Sequence, residues 1–330
     1  MATITEVISS TNNGHGTGLT VYTTLALWEA ALPTTFGSDS YVGEIYNEGT
    51  EYGVLDIAGQ TIGSNTLTLK CAAGQSFRDH ASAASNALFY DASKGVAING
   101  GATTATGTVR IQIANVTFDG LQIKNTAGGY NNRVVADFPN ASGVVLQNSI
   151  LENNQTGAVG ITARKAALKN CLLVQYGSGG ALNFAFGGSG DSVTVVRPGG
   201  SPSGTGVSGG YGGAATLINC AVFGFSTSFS STGSGLTSTY TATDGTAQAG
   251  TGNVGSLTYT SQFVSTTNDF RLKAGASLID AGATALTTDI IGQTRPTGSA
   301  DDIGAWEYAS GGGGSAKPWH YYAQMRQMGA

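Results

Sequence analysis

Four stretches, Val116-Thr-Phe-Asp-Gly-Leu-Gln-Ile-Lys-Asn125, Val144-Val-Leu-Gln-Asn-Ser-Ile-Leu-Glu-Asn153, Ala166-Ala-Leu-Lys-Asn-Cys-Leu-Leu-Val-Gln175 and Ala215-Thr-Leu-Ile-Asn-Cys-Ala-Val-Phe-Gly224, superimpose without a gap. Phe118, Leu146, Leu168 and Leu217 form one apolar column, and Ile123, Leu151, Leu173 and Val222 form another. Between the two columns lie Gly120, Asn148, Asn170 and Asn219, which advance along the chain by 28, 22 and 49 residues; 49 is close to two such steps. A repeat in the twenties is one coil of a solenoid, in which a strand buries its inward face by stacking on the coils above and below. Gly and Asn tolerate the left-handed backbone that a sharp bend needs, and stacked Asn side chains can also bond along a ladder. The next column, Leu121, Ser149, Cys171 and Cys220, is small or apolar and is expected to face inward. The pattern predicts an all-β chain folded as a right-handed parallel β-helix.

Working outward, Thr66-Leu-Thr-Leu-Lys-Cys71, Ala87-Leu-Phe-Tyr90 and Gly95-Val-Ala-Ile-Asn99 show the same short alternation and read as the first coils. Before them, Leu25, Trp28 and Leu32 are spaced as one face of a helix, with Thr23 or Thr24 as N-cap and Pro33 as its stop. Such a helix can cover the open end of a solenoid, where strand edges are otherwise unpaired. Residues 177–214 and 226–260 are rich in Gly, Ser and Thr and read as long loops or irregular coils. Gly311-Gly-Gly-Gly-Ser315 separates a last peptide containing Trp319, His320, Tyr321, Tyr322, Met325 and Met328, aromatic and thioether side chains suited to binding a partner. The organisation expected is an N-terminal segment with a capping helix over 1–60, a β-helix over 61–309, and a linker with an aromatic C-terminal peptide over 310–330.

Composition narrows the function. Charged residues are 11% of the chain, against about a quarter in an ordinary soluble protein, while 51 residues are Gly and 40% are hydrophobic. With 15 Lys and Arg, no dense basic run and a net charge of -5, the chain lacks the footprint of a nucleic-acid binder. The start, Met1-Ala-Thr-Ile-Thr-Glu-Val7, has no basic stretch followed by an apolar one, and no apolar run is long enough to span a bilayer. The expectation is a protein made in the cytoplasm that contacts neither nucleic acid nor membrane. Cys71, Cys171 and Cys220 are odd in number and widely spaced, so they read as small buried hydrophobes rather than as disulfide or zinc partners.

Near the end stand Phe270-Arg-Leu-Lys-Ala-Gly-Ala-Ser-Leu-Ile-Asp-Ala-Gly-Ala283 and Asp289-Ile-Ile-Gly-Gln-Thr-Arg-Pro-Thr-Gly-Ser-Ala-Asp-Asp-Ile-Gly-Ala-Trp-Glu-Tyr308. This stretch resembles the C-terminal signature of bacterial and viral pectate-lyase-like β-helix proteins: Leu-Ile-Asp-Ala-Gly, then Gly-x-x-Arg-Pro, then Asp-Ile-Gly-Ala-aromatic-Glu. The resemblance implies the fold far more firmly than an activity. Enzymes of that class work from the outer face of the parallel sheet, with clustered carboxylates holding calcium and an Arg or Lys as base, or with paired carboxylates in hydrolytic relatives. Here the repeats offer Asp119, Lys124, Glu152 and Lys169, and adjoining turns offer Arg133, Asp137, Arg164 and Lys165, a thin supply. The adjacent pair Asp301-Asp302 is expected to bond the closing turn and Arg295. His15, His80 and His320 stand apart, so no metal site, cofactor or nucleophilic triad is expected. Catalysis is therefore not expected.

An unprocessed start joined to a Gly-spaced aromatic end resembles structural proteins of tailed bacteriophages. That resemblance implies a virion protein, most simply a capsid decoration protein or short head fibre whose end segment binds another virion protein such as the major capsid protein. A symmetric homo-oligomer, such as a trimer, fits this use, although no residue specifies the number. The alternatives are a tailspike-like protein that binds or depolymerises host surface glycans, and a bacterial surface adhesin.

Overall fold

The computed structural model describes residues 2–309 apart from 12–13, 16–17, 102–106, 127–132, 138–140, 156–159, 163–164, 200–201, 211 and 232–234. Among the described residues the chain is a right-handed parallel β-helix with three parallel sheets of ten, seven and seven strands. Sheet A has ten strands, among them Ser40–Ile45, Leu67–Cys71, Val116–Asp119, Val145–Gln147, Ala167–Lys169, Gly188–Asp191, Ala215–Ile218 and Leu236–Thr239. Sheet B, reached across the Asn turn, runs from Ala97–Asn99 through Gln122–Asn125, Ile150–Asn153, Leu172–Gln175, Thr194–Val196 and Ala221–Phe223 to Ala242–Thr243. Sheet C closes each coil with seven strands, from Leu55–Ile57 to Thr227–Ser231. Ten strands at about 4.8 Å spacing make a column about 43 Å long, so the rod is stubby.

The turn column holds the left-handed backbone in six successive coils. The φ values are 75° at Gly120, 51° at Asn148, 48° at Asn170, 54° at Ser192, 52° at Asn219 and 52° at Tyr240. Ser192 splits the 49-residue step into 22 and 27. That coil is hard to find by eye because Gly190 stands in the apolar column, between Leu168 and Leu217. A Cβ there would come within 2.9 Å of the Leu217 Cδ2, so any larger residue would make Leu217 shift. Leu121, Ser149, Cys171 and Cys220 are all buried. Burial pushes the Cys171 and Cys220 thiols up to about 12, which leaves them protonated and unreactive.

Three parts of the layout differ from the sequence reading. Within 177–214 and 226–260, read as long loops or irregular coils, seven strands from Leu182–Phe184 to Ala242–Thr243 belong to the three sheets of the rod, because Gly, Ser and Thr still alternate inward and outward. Ala87–Tyr90 is not a strand: Leu88 and Tyr90 lie in a second core outside sheet B. The coils also begin ahead of residue 61, since Thr3–Ile8 and Ser40–Ile45 pair in register and extend sheet A. The helix Leu25–Ala31 is capped by Thr24, whose Oγ1 accepts from Leu27 N at 3.1 Å. It buries Leu25 and Trp28 at that end, and the Trp28 indole lies on Gly43, where a Cβ would meet it at 2.8 Å.

Candidate functional site

The outer faces are where a β-helix meets other molecules. On sheet B, alternate residues of each strand belong to different cores: Leu151, Leu173, Val195 and Val222 fill the interior, while Ile150, Leu172, Val174, Val196, Ala221 and Phe223 point outward. The outward set is itself buried, because the chain beyond residue 257 folds back along this face. Phe263 and Phe270, from the antiparallel pair Phe263–Ser265 and Asp269–Leu272, pack there with Leu278, Ile290, Ile303 and Trp306. Phe263 meets Phe223 edge-on at 5.4 Å. The segment resembling the C-terminal signature is therefore a cover along the flank of sheet B, not one more coil at the end.

Each acid of that segment is committed to backbone. Asp289 accepts N–H bonds from Ile291, Gln293 and Glu307. Asp302 accepts from Asp280 and Tyr308, Asp280 from Ser299 and Ala300, and Asp301 from Ala285. Arg295 pairs with Glu307 at 3.2 Å, both side chains 0% exposed. It meets Asp302 through that residue's carbonyl, not its carboxylate, and also donates to the Gly304 carbonyl. Burial raises the Asp289 carboxyl to about 6 and the Asp302 carboxyl to about 7. The turn column fastens the cover: Asn170 donates to the Thr288 carbonyl at 2.8 Å, and Asn219 donates to the Ala283 carbonyl and accepts from Ala283 N.

Of the candidate acids and bases, the structure brings Lys124 and Glu152 together. They are register neighbours in sheet B and form an ion pair at 2.9 Å. Lys124 Nζ also lies 5.0 Å from the centre of the Tyr90 ring, while Tyr90 and Asn99 both donate to Glu51. The result is a cluster of two carboxylates, an ammonium and a phenol at the edge of the sheet B cover. Glu152 is 1% exposed, and burial raises its pKa despite the lysine. A carboxyl so enclosed can exchange a proton with its neighbours but is closed to a saccharide as it stands. The sequence offered Lys124 and Glu152 but not Glu51, which lies in a loop without a repeat signal, nor Tyr90, whose segment reads as a coil strand but is a loop.

The remaining candidates fall elsewhere. Asp119 and Lys169 stand on the outer face of sheet A, where Asp119 accepts from Gln147 and Asn148. Arg133 and the exposed Lys165 lie in turns, and Asp137 is on the sheet C strand Val135–Asp137. Arg164, Trp319, His320, Tyr321, Tyr322, Met325 and Met328 lie outside the described residues. His15 stacks on Tyr46 near Glu48, and His80 Nδ1 accepts from Ser82 N in another loop. Among the described residues no three His, Cys, Asp or Glu side chains gather as a metal ion needs. No helix of the described residues is long and apolar enough to cross a membrane. A surface hollow between Leu88, Ile150 and Trp306 holds about 20 Å³, room for a water.

The sequence matches no family model, and no curated protein matches it. Among solved structures, the crystal structure of pectate lyase Pel9A is similar, at 12% identity and a TM-score of 0.37, over 94% of this chain and 97% of that one.

Proposed function

We propose that this chain is a structural protein of a tailed-bacteriophage virion, a capsid decoration protein made in the host cytoplasm and assembled onto the particle. The observation that carries the reading is the sealed flank: the chain covers the outer face of sheet B with its own C-terminal segment and spends that segment's acids on backbone N–H groups. Such a column gains rigidity at the expense of a substrate floor. Its length of about 43 Å suits a boss on a shell better than a fibre. Attachment is assigned to the peptide of Trp319, His320, Tyr321, Tyr322, Met325 and Met328, with the major capsid protein as the partner.

A second reading, a tailspike-like protein that binds or cleaves host surface glycans, draws on one observation, the grouping of Glu51, Tyr90, Lys124 and Glu152. Mass spectrometry of purified particles, followed by imaging of the decorated shell, tests the first reading. The protein is expected in stoichiometric amounts on the capsid, and its absence from particles would overturn the proposal. Deleting residues 311–330 is expected to leave a folded column that no longer incorporates; normal incorporation would place the anchor elsewhere.

A further inference from the structure

The outer face of sheet A is open, and its side chains follow an order of their own. Strand register stacks Lys70, Asp119, Gln147, Lys169 and Asp191 in one column across five consecutive strands. In signs, the column reads plus, minus, neutral, plus, minus. Read backwards, it gives minus, plus, neutral, minus, plus, the complement at every charged position. The parallel column two residues earlier, Thr68, Thr117, Val145, Ala167 and Ser189, is made of small or β-branched side chains that leave the face flat. All ten side chains keep some solvent exposure, and Lys169 is exposed with no ion pair within 4.0 Å among the described residues.

We propose that this face is a two-fold interface between two copies of the chain, packed face to face with their columns antiparallel. A two-fold axis along the strand Val145–Gln147 returns each column onto itself in reverse. It sets Lys70 against Asp191 of the second copy, Asp119 against Lys169, and Gln147 against Gln147. In the flat column it sets Val145 on Val145, Thr117 on Ala167 and Thr68 on Ser189. Four charge pairs form, two of each kind, because the axis repeats every contact. Each like-charge clash is avoided in this register. Shifting it by one strand toward Lys169 sets Lys169 against Gln147 and Asp191 against Asp119. A one-strand slip the other way sets Lys70 against Lys169 and leaves Asp119 against Gln147.

The size of the face sets the strength. Seven strands, symmetric about Val145–Gln147 and running from Ser40–Ile45 to Ala215–Ile218, extend about 29 Å, and four residues of strand about 13 Å, so both copies together bury roughly 750 Å². That is the range of weak, reversible pairs, in which facing charges select the register more than they add affinity.

Sedimentation of the full chain over a wide concentration range tests the proposal. A monomer–dimer equilibrium is expected, loosened at high ionic strength because the pairs are near the surface. Lys169→Glu, which faces Asp119 at both symmetric positions, is expected to weaken association about tenfold or more. Thr237→Glu, on the same face but outside the matched span, is expected to leave it unchanged. A circular dichroism spectrum like that of the parent shows that each variant is folded. Independently of folding energetics, Gln147→Cys on the axis is expected to give covalent dimers with a short bis-maleimide, whereas Thr239→Cys at the far end is not. A monomer at every concentration, a trimer, or a dimer indifferent to Lys169→Glu and cross-linked equally at both cysteines would each overturn the assignment.

Discussion

Asn148, Asn170 and Asn219 share a backbone conformation but do unequal work. Each holds φ near 50°, a region that β-branched residues resist. Asn148 donates to Asp119 one coil away, whereas Asn170 and Asn219 also reach the returning chain at Thr288 and Ala283. Substitution by Val is therefore expected to cost about 1–2 kcal/mol at Asn148 and more at Asn219, where a fastening of the cover is lost as well. Denaturant melts of the three variants check the order, and equal or negligible losses would count against it. Arg295 is the stronger test of the cover. Arg295→Ala leaves Glu307 buried without its counter-charge and is expected to cost about 3–5 kcal/mol. The Asn column was legible in the sequence because one backbone demand selects the same residue type coil after coil. The ladder of Asn125, Asn153 and Gln175, buried and bonded at 3.2 and 3.0 Å, stood in the same alignment, but its meaning depends on which way the last residue of each strand points.

At the scale of elements, the coils were readable where Leu, Ile and Val recur and unreadable where Gly190 or a run of Ser and Thr takes the inward position. The cover was unreadable for a different reason: an outward strand position such as Leu172 or Val174 is apolar only because a segment about a hundred residues later lies on it. The cluster was likewise assembled by two distant loops that bring Glu51 and Tyr90 to Lys124 and Glu152 on neighbouring strands. The acids of the cover give it a pH dependence with a definite sign. Burial holds the folded-state pKa of Asp289 at about 6 and of Asp302 at about 7, above their unfolded value. A raised carboxyl pKa favours the folded state most when the group is protonated, so this contribution is full below about pH 4 and is lost as pH rises through 6 to 7. At the N-terminal end Glu48 has the opposite sign. Burial opposes its charge, but hydrogen bonds from Ser9, Thr11 and Ser10 bring it down to about 2, so its contribution is constant above pH 5. The thermal midpoint, measured at fixed ionic strength, is expected to be higher at pH 5 than at pH 8. An equal or higher midpoint at pH 8 would show that the cover does not hold these acids out of water.

For the molecule as a whole, the three faces differ in what they can meet. Sheet B is sealed, sheet A is flat and charge-ordered, and sheet C turns a Ser- and Asn-bearing row, Asn183, Ser208 and Ser230, outward in register. A sugar chain could rest on such a hydroxyl-rich row, but general acid–base cleavage of a glycan needs two ionisable groups within reach of one glycosidic bond. The carboxylates of the sheet B cluster, Glu51 and Glu152, are tied up by Tyr90, Asn99 and Lys124, and Glu152 is enclosed. Purified protein incubated with host surface polysaccharide is therefore expected to release neither unsaturated nor new reducing ends, while weak binding stays compatible with sheet C. Steady release that disappears in Glu152→Gln, with the fold intact by circular dichroism, would mean that the enclosure around Glu152 opens. It would also turn the cluster from a rung between coils into an active site.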